Sequence, residues 1–459
     1  MQSNPLLCHF KMMQKHPPQQ LYNQRLEEYS VNLSRLLKKR STLGWVRLLV
    51  FSITTLLAYK IFTVFGIAGI IPTVAGLGFL LYLVSADVKN NTNIKNVKTI
   101  LQINEEELQV LNHQFVNRED GAAFMPADHA YATDLDIFGK ASIFQWLNRC
   151  YTHQGQQLLA QNLLHPASVE IISSRQDAAK EIASNLSWRQ QWQSYSMQTT
   201  VTTNTEKKIM AWSDEEEKHF SNPAWKIIVN GYTCITLGTA MASITGYLAA
   251  NIFSGLFLLY LILSTFLSRN TIKAYNSLNG IVKEISTLQS MMAWLETASF
   301  QSAHLKSLQS KIKSGNSSAA KEITALKIIL DRFDLKTSIV GILFFNSFLL
   351  WDVRQMIALN SWRKRNKALL SKWFEAVAEM EVVHSISTLH FNKPCWSFPK
   401  FSTSHFILES KGIGHPLLPE EQRITNDFGL QGLAKIGLIT GSNMAGKSTF
   451  LRSLGVNIV

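Results

Sequence analysis

The sequence is poor in cysteine and in charged residues, and each shortage excludes a class of protein. The four cysteines, Cys8, Cys150, Cys234 and Cys395, lie far apart and form no C-x-x-C pair. Neither a disulfide framework nor a zinc site is therefore expected, which favours a reducing compartment. Charged residues make up 17% of the chain, below the roughly 25% of a typical soluble domain.

The charge that is present is mostly positive, with a formal net charge of +13. Such a balance favours anionic partners, either nucleic acid or a membrane surface. Residues 1–44 are basic and carry the cluster Lys38, Lys39 and Arg40. They lack the apolar core of a secretory signal peptide, so we interpret them as a cytoplasmic N-terminal segment.

The shortage of charge is concentrated in two apolar stretches. Residues 45–84 include part of an uncharged run over 61–86, and residues 227–268 contain no charged side chain. A membrane-spanning helix needs ~20 apolar residues, so each stretch predicts a helical hairpin. The turns are expected near Phe65–Gly66 and within Gly246–Gly255, which gives four transmembrane helices.

Lysines and arginines flank both predicted hairpins. By the positive-inside rule, both ends of each hairpin then lie in the cytoplasm. We therefore expect a multi-pass protein of the cell (inner) membrane, with the lipid bilayer as a partner and the soluble parts in the cytoplasm.

Helical periodicity dominates the remainder of the chain up to residue 398. Residues 85–133 predict a connector, and residues 134–226 and 269–398 predict a helical core. Within it, the apolar run 339–351 is too short to span a membrane and predicts a buried helix of a soluble core. A basic run over 363–372 fits either a solvated helix face or a contact with nucleic acid.

The last part of the chain, residues 399–459, turns to short strands and contains a phosphate-binding pattern. Gly441–Ser448 fits G-x-x-x-x-G-K-[ST]. The apolar run Ile436–Thr440 before it predicts a buried strand, and Thr449–Val459 after it has helical spacing. A strand, a glycine-rich turn and a helix are the arrangement in which backbone N–H groups surround a phosphate.

This pattern predicts a site for ATP and Mg²⁺. Lys447 is expected to reach the β- and γ-phosphates, and the Ser448 hydroxyl to bind Mg²⁺. The predicted nucleotide-binding residues of the loop are Gly441, Ser442, Asn443, Met444, Ala445, Gly446, Lys447, Ser448 and Thr449.

Hydrolysis of ATP needs groups that the pattern does not supply. A carboxylate must order Mg²⁺, and a further residue must orient the attacking water. These normally follow at a later strand end, and the sequence ends at Val459. The catalytic residues therefore stay unassigned, and we expect these 459 residues to bind ATP without turning it over.

The wording of the loop, G-S-N-M-A-G-K-S-T-F-L-R, resembles the G-P-N-M-x-G-K-S-T of the MutS family, with Ser442 in place of proline. Gly414–Leu418 is similar to the family's H-P-L motif, and Asn426-Asp427 to its N-D segment. The resemblance covers about 128–224 and 270–459. Its upstream part rests on Asp134–Gly139, Ser142–Phe144, Leu147-Asn148, Thr152, Gly155, Leu158-Leu159, Arg175-Gln176 and Glu379–Ser385.

The resemblance implies a helical core and lever joined to an ABC-type ATPase that works as a homodimer with composite sites. It assigns the phosphate contacts to Gly441–Thr449 and places Ile424 and Asn426 where the family contacts adenine. Arg423 occupies a position that is often aromatic in the family. The expected fold is mainly α with four transmembrane helices, followed by the start of an α/β P-loop (ABC-type) ATPase domain.

Two departures from the family pattern shape the functional interpretation. The N-terminal mismatch-reading domain is missing, and the second hairpin falls inside the lever region. We therefore expect a membrane-anchored MutS-like ATP-binding protein of the DNA mismatch-repair or DNA-processing type, with DNA as a partner. The resemblance does not extend to the part that reads a mismatch.

Two other functions fit the sequence. One is an ATP-driven membrane transporter or membrane-remodelling ATPase that does not bind nucleic acid. Against it, the predicted spans contain almost no polar or ionisable groups except Lys60, whereas transport pathways usually need such groups. The other is a scaffold with a degenerate ATPase. The segments on which these interpretations depend are 1–44, 45–84 (hairpin 1), 85–133, 134–226, 227–268 (hairpin 2), 269–398 and 399–459.

Overall fold

A computed structural model describes residues 17–215, 220–278, 280–314, 317–334, 341–402, 406–442 and 446–459. The chain divides into two compact units. Unit 1 comprises Met1–Leu147, Asn185–Ser194 and Leu389–Val459, and unit 2 comprises Asn148–Ser184 and Tyr195–Thr388.

Helices form most of the described chain. In chain order they are α1 Pro18–Phe65, α2 Ile70–Leu111, α3 Ile143–Leu147, α4 His153–Leu164, α5 Val169–Ala183, α6 Leu186–Ser196, α7 Thr203–Asp214, α8 Ala224–Ile244, α9 Ala250–Leu278, α10 Val282–Thr297, α11 Ala303–Ile312, α12 Ala319–Phe333, α13 Ser347–Leu349, α14 Trp351–Asn366, α15 Leu370–Asn392 and α16 Lys447–Ile458. The strands are β1 Lys313–Ser314, β2 Ser317–Ser318, β3 Ile407–Ile413 and β4 Asn426–Gln431. A mainly helical fold is thus confirmed.

Two long paired helices, α1 and α2, dominate unit 1. A short 3₁₀ segment, Gly66–Gly69, joins them, and Gly66 has a φ of 55°, in the left-handed region that favours glycine. The predicted turn near Phe65–Gly66 is confirmed. At 1.5 Å per residue α1 is about 72 Å long, more than twice the ~30 Å of a bilayer core. The apolar hairpin therefore continues, without a break, into polar helix on both sides.

Polar contacts join α1 and α2 at the end of the apolar region. Arg47 and Asp87 form an ion pair of 3.1 Å, and Asn90 Nδ2 donates to the carbonyl of Leu36 at 3.0 Å. After Asn90, one face of α2 is buried in unit 1. The spacing of the buried residues is that of a core-facing helix. They include Ile94, Val97, Ile100 and Ile103.

The end of the chain in unit 1 forms a small two-stranded sheet followed by α16. β3 and β4 pair antiparallel, from Ile407↔Gln431 to Ile413↔Asn426, with an irregularity before Ile413. Gly412 lies there with a φ of 62°, and its N–H donates to Asp427 Oδ1 at 2.7 Å.

The predicted buried strand Ile436–Thr440 is wrong. This segment is not a strand, and Ile436 and Leu438 are 91% and 85% exposed. A strand is stable only when its backbone N–H and C=O groups pair with a neighbour. Within the described residues, β3 and β4 pair with each other and neither pairs with this segment.

Unit 2 is built from α4, α5, α7 to α15 and the short β1–β2 hairpin. Side-chain caps begin several helices: the Thr152, Ser168, Thr202 and Ser302 hydroxyls accept N–H groups of the first turns of α4, α5, α7 and α11. The predicted helical character of 134–226 and 269–398 is confirmed over the described residues of these segments.

The second apolar stretch forms the helices α8 and α9, with a turn at 245–249 that overlaps the predicted interval Gly246–Gly255. Among the described residues, four helices are long and apolar enough to cross a membrane: α1, α2, α8 and the part of α9 up to Arg269. A fifth candidate is the bent pair Gly341–Leu349 and Trp351–Asn392. By length and composition, the prediction of four spans agrees with the structure.

The predicted buried helix of a soluble core over 339–351 is wrong for the part that the structure describes, which begins at Gly341. Gly341–Asn346 forms a π-helical turn and α13 follows it. Phe344 is 58% exposed, and the segment packs against α8 and α9 of hairpin 2. An apolar run of this length fits a straight buried helix, and it fits equally well a broken helix that packs against a hairpin.

Candidate nucleotide-binding segment and helical core

The phosphate-binding pattern of unit 1 surrounds the start of α16. Gly446 has a φ of 74° and begins the helix. The side chain of Lys447 folds back over the loop, where its Nζ donates to the carbonyls of Gly441 and Ser442, the latter at 2.6 Å. Asn443, Met444 and Ala445 lie outside the described residues.

This geometry suits an anion. The N–H groups of the first helical turn have no partner within the helix and carry a partial positive charge. Ser448 and Thr449 lie exposed in that turn. Among the described residues, the Lys447 ammonium is bonded to neutral carbonyls, which a phosphate can replace. The arrangement therefore fits the predicted phosphate contacts of ATP.

A Mg²⁺ ion would require more oxygen ligands than the protein offers at this point. Ser448 supplies one hydroxyl, and Mg²⁺ needs six ligands in an octahedron. No group of three or more His, Cys, Asp or Glu side chains that could hold a metal ion occurs among the described residues. Ser448 can thus hold Mg²⁺ only together with phosphate oxygens and water.

The segment assigned to adenine lies beside the sheet. Ile424 is 80% exposed, and Asn426 begins β4 opposite Ile413. Within the described residues, neither side chain hydrogen-bonds to the phosphate loop. The Arg423 guanidinium lies over the ring of Trp396, 5.1 Å from its centre, so it already stacks on a protein aromatic ring.

Two of the motifs that carried the resemblance hold α16 in place. Asp136 forms an ion pair of 3.1 Å with Arg452, and Leu135 lies so close to Gly455 that a Cβ there would be 2.7 Å from the leucine side chain. Asn457 Nδ2 donates to the carbonyl of Gly414 at 3.0 Å. The D-L-D and G-H-P motifs of unit 1 therefore support the helix that follows the phosphate loop.

In unit 2, the motif residues Thr152 and Gly155 lie against a buried carboxylate, Glu381. Its oxygens accept the N–H groups of Tyr151 at 3.0 Å and Thr152 at 3.2 Å, and also the Thr152 hydroxyl. Burial raises the pKa of Glu381 to about 7, although these hydrogen bonds act in the opposite direction. Burial, and then the charge of Glu381, also raise the pKa of the Cys150 thiol well above its usual range.

Gly155, in the first turn of α4, allows this close approach. A Cβ at this position would overlap the Glu381 carboxylate and lie 3.1 Å from the glutamate's own Cβ. The glycine is therefore explained by packing rather than by backbone conformation.

We expect Gly155→Ala to destabilise the protein by about 1–3 kcal/mol, the usual cost of overpacking a core, although alanine is the better helix former by about 1 kcal/mol. The midpoint of urea unfolding, followed by tryptophan fluorescence, measures the change. Gly44→Ala in α1 is the matched control, because a Cβ there meets nothing within 4 Å. A stabilisation by both substitutions would contradict the packing role of Gly155.

A second carboxylate of α15, Glu379, has a lowered pKa, whereas the pKa of Glu381 is raised. Arg175 donates to both of its oxygens, from Nε at 2.6 Å and from Nη2 at 2.8 Å, and His304 Nε2 lies 3.0 Å from Oε1. Burial alone would raise its pKa, but the hydrogen bonds and charges of His304 and Arg175 outweigh burial and lower the pKa to about 2. Two glutamates two residues apart thus have widely different proton affinities.

The basic run over 363–372 is largely structural. Arg363 is buried, lies over the ring of Trp212 and donates to the carbonyls of Trp212 and Glu215. Arg365 and Lys367 pair with Glu322 and Asp214. Contacts within the protein, rather than solvent or nucleic acid, account for these three cations.

Comparison with known proteins gives the same assignment as the motifs. The profile of MutS domain III matches residues 130–387, more than half of the chain. The chain belongs to the MutS family. This MutS-family chain contains most of domain III in unit 2, including both glutamates and their partners.

The DNA mismatch repair protein MutS of Thermotoga petrophila is 35% identical over 95 residues, which is 20% of this chain and 12% of that protein. The MutS of Dinoroseobacter shibae is 41% identical over 92 residues, 18% of this chain and 10% of that protein. The chain thus spans only about an eighth of the length of the curated relatives that it matches. No solved structure matches it.

Sequence reasoning did not identify the side chains from distant parts of the chain that surround the two glutamates. Nothing in its spacing singled out His304, which lies on α11 and completes the surroundings of Glu379. The polar residues of α8 were also missed. Their signal was present, because Tyr232, Thr236 and Thr239 share one helix face by their spacing.

Proposed function

We propose that the chain is a membrane-anchored member of the MutS family that binds ATP with Mg²⁺ through Gly441–Thr449 and acts on DNA from the cytoplasmic face of a cell membrane. The observation that carries this proposal is the position of hairpin 2. The charge-free stretch 227–268, which forms most of α8 and α9, lies inside the region 130–387 that matches MutS domain III.

Nucleotide binding is supported by the start of α16. A phosphate needs a loop that turns into a helix, free N–H groups and a cation. Gly446 has a left-handed backbone conformation, the first turn is exposed, and Lys447 is bonded to carbonyls among the described residues. The residues around Ile424 and Asn426 are proposed to lie beside the base. Dimerisation through the ATPase part, as the family implies, is proposed to complete the site.

Membrane anchoring is supported by the exposed side chains of the four long apolar helices. Large hydrophobic residues cover their outer surfaces, where lipid tails would accept them and water would not. Exposed cations lie near the ends of hairpin 1, among them Lys38, Lys39, Arg40 and Lys89. By the positive-inside rule, they support a cytoplasmic location for those ends.

DNA binding is supported by the family and by the net charge of +13. We propose DNA as a partner and assign no preference for or against a mismatch.

We expect the full chain, reconstituted in nanodiscs of zwitterionic lipid, to retain homoduplex, mismatched and branched DNA in filter binding. A surface that contacts about six phosphates loses on the order of a thousand-fold in affinity between about 50 and 200 mM salt. Empty nanodiscs are the control, and an absence of salt-sensitive binding would refute the role on DNA.

A transporter or membrane-remodelling ATPase without nucleic acid is the alternative function. It has less support, because the polar side chains of hairpin 2 hydrogen-bond to protein groups. Tyr232 and Thr236, for example, donate to the carbonyls of Ser347 and Phe348, whereas a transport pathway needs polar groups that face a cavity.

A further inference from the structure

Hairpin 2 has a polar seam, which we define as Tyr232 and Thr236 on α8 and Ser268 on α9. The seam binds the segment Gly341–Leu349 through three hydrogen bonds. Tyr232 OH donates to the Ser347 carbonyl at 2.7 Å and Thr236 Oγ1 to the Phe348 carbonyl at 2.7 Å. Ser268 Oγ accepts from Asn346 Nδ2 at 2.8 Å.

These bonds satisfy backbone groups that a broken helix leaves open. α13 ends at Leu349, and Leu350 has a φ of 47°. The last carbonyls of a helix have no N–H partner in the next turn. The carbonyl of Leu349 accepts from Arg354 Nε at 2.9 Å, while those of the two preceding residues bind the seam. Such a break is tolerated at membrane depth only where protein groups satisfy the backbone.

The guanidinium of Arg354 links the end of α13 to α8. It also donates to Asn230 Oδ1 at 2.9 Å and Thr233 Oγ1 at 2.8 Å. Asn230 and Thr233 lie six and nine residues after Ala224, the first residue of α8. An arginine at this level can keep its charge at the membrane interface while its stem packs against apolar surface.

The contact lies deep along hairpin 2. Thr236 is twelve residues after Ala224, the first residue of α8, or about 18 Å along the helix axis at 1.5 Å per residue. On α9, the ring of Phe257 lies 5.7 Å from that of Phe348, about 10 Å along α9 from its first residue, Ala250. The seam therefore brings α13 to the middle part of the hairpin.

The other side of the segment is apolar and exposed. Phe344 is 58% and Ile342 is 40% exposed. The same belt of α8 and α9 exposes large apolar residues, including Ile235, Leu258 and Leu259. The apolar surface of the segment thus continues that of hairpin 2.

We propose that Gly341–Leu349 is a re-entrant membrane element, which enters the bilayer with hairpin 2 and whose exposed face is covered by phospholipid acyl chains. This inference rests on the proposed membrane anchoring. It makes α14 begin at the membrane, and α14 leads through Lys367–Leu369 to α15, the helix that carries Glu379 and Glu381.

Site-directed spin labelling of the full chain in phospholipid vesicles tests this element. The label is placed in turn on Phe344→Cys, on the native Cys234 of α8, which is exposed, and on Ser307→Cys, which is exposed on α11. The other natural cysteines are replaced in each case. Ile342→Cys is a second site in the element if Phe344→Cys does not fold.

We expect labels at Phe344→Cys and Cys234 to collide more often with dissolved oxygen than with a water-soluble nickel complex, and the label at Ser307→Cys to show the reverse. If Cys234 is in lipid while Phe344→Cys and Ile342→Cys are in water, the re-entrant element is refuted and the anchoring stands. If all of these labels are in water, the anchoring itself fails. A label on the element that neither reagent reaches would mean that protein, such as a second copy of the chain, covers this face, and would also overturn the proposal.

Discussion

Replacing Lys447 with alanine is expected to weaken the binding of ATP by about a hundred-fold. Removing a charged partner from a hydrogen-bonded ion pair costs about 2–5 kcal/mol, and about 2.7 kcal/mol corresponds to a hundred-fold change in the dissociation constant. The ammonium group is the cation of the phosphate loop and is bonded to the carbonyls of Gly441 and Ser442. Titration of the full chain in detergent with a fluorescent ATP analogue and Mg²⁺ measures the effect.

The control for this experiment is Lys435→Ala. Lys435 is exposed before the loop and carries the same charge, so a general loss of positive charge would affect both variants equally. Alanine is a strong helix former, so α16 should be retained in Lys447→Ala. Equal affinities for Lys447→Ala and the unchanged chain would show that the loop does not bind the phosphates.

The helix after the phosphate loop could be predicted from sequence, but the strand before it could not. Apolar spacing after Ser448 and the glycine at 446 fix a helix locally, and α16 begins at Lys447. A strand depends on neighbours that are distant in the sequence. Ile436–Thr440 has the composition of a buried strand, yet among the described residues it lies exposed and unpaired.

The two hairpins could be predicted because their signal is a property of composition. An apolar stretch about twice the length of a span, with glycine near its middle, predicts two helices and a turn. The break in the helix over Gly341–Leu349 could not be predicted from composition. Its position depends on Tyr232 and Thr236, about a hundred residues earlier, whose hydroxyls bind its carbonyls.

The helical core shows the same division between identity and environment. The motif Glu379-Met380-Glu381 marks the family, and the match to domain III confirms the family. The sequence did not reveal that one glutamate would pair with Arg175 while the other would be buried against Thr152. Both partners lie more than two hundred residues away, and proton affinity depends on the partners rather than on the glutamate itself.

Because their partners differ, we expect Glu381→Gln and Glu379→Gln to change the free energy of unfolding in opposite directions near neutral pH. The folded chain raises the pKa of Glu381 from 4.5 to about 7. Between these values the folded chain holds a proton that the unfolded chain has lost. The contribution of Glu381 to the free energy of unfolding is therefore highest below pH 4.5 and falls as the pH rises to about 7.

The fall amounts to about 3 kcal/mol, since one pKa unit corresponds to about 1.36 kcal/mol. Glutamine resembles the protonated glutamate and does not titrate. At pH 8 we thus expect Glu381→Gln to be more stable than the unchanged chain by up to about 3 kcal/mol. At pH 4.5 the two should be about equally stable.

Glu379→Gln is the matched variant, two residues away on the same helix. Its folded pKa of about 2 lies below the unfolded value of 4.5. Glu379 therefore contributes stability above pH 4.5, and this contribution is lost as the pH falls towards 2. The substitution leaves the buried charge of Arg175 without its carboxylate, so we expect a loss of about 3 kcal/mol at pH 7.

Urea unfolding midpoints of the full chain in detergent, followed by tryptophan fluorescence from pH 4.5 to 8, distinguish the two environments. The Glu381→Gln curve should rise above that of the unchanged chain as the pH increases, while the Glu379→Gln curve should lie below it. Parallel curves for all three proteins would mean that neither carboxylate differs in proton affinity between the folded and unfolded chain. Two glutamates on one turn of α15 would then be equivalent despite their different partners, which the hydrogen bonds of Arg175, His304 and Thr152 argue against.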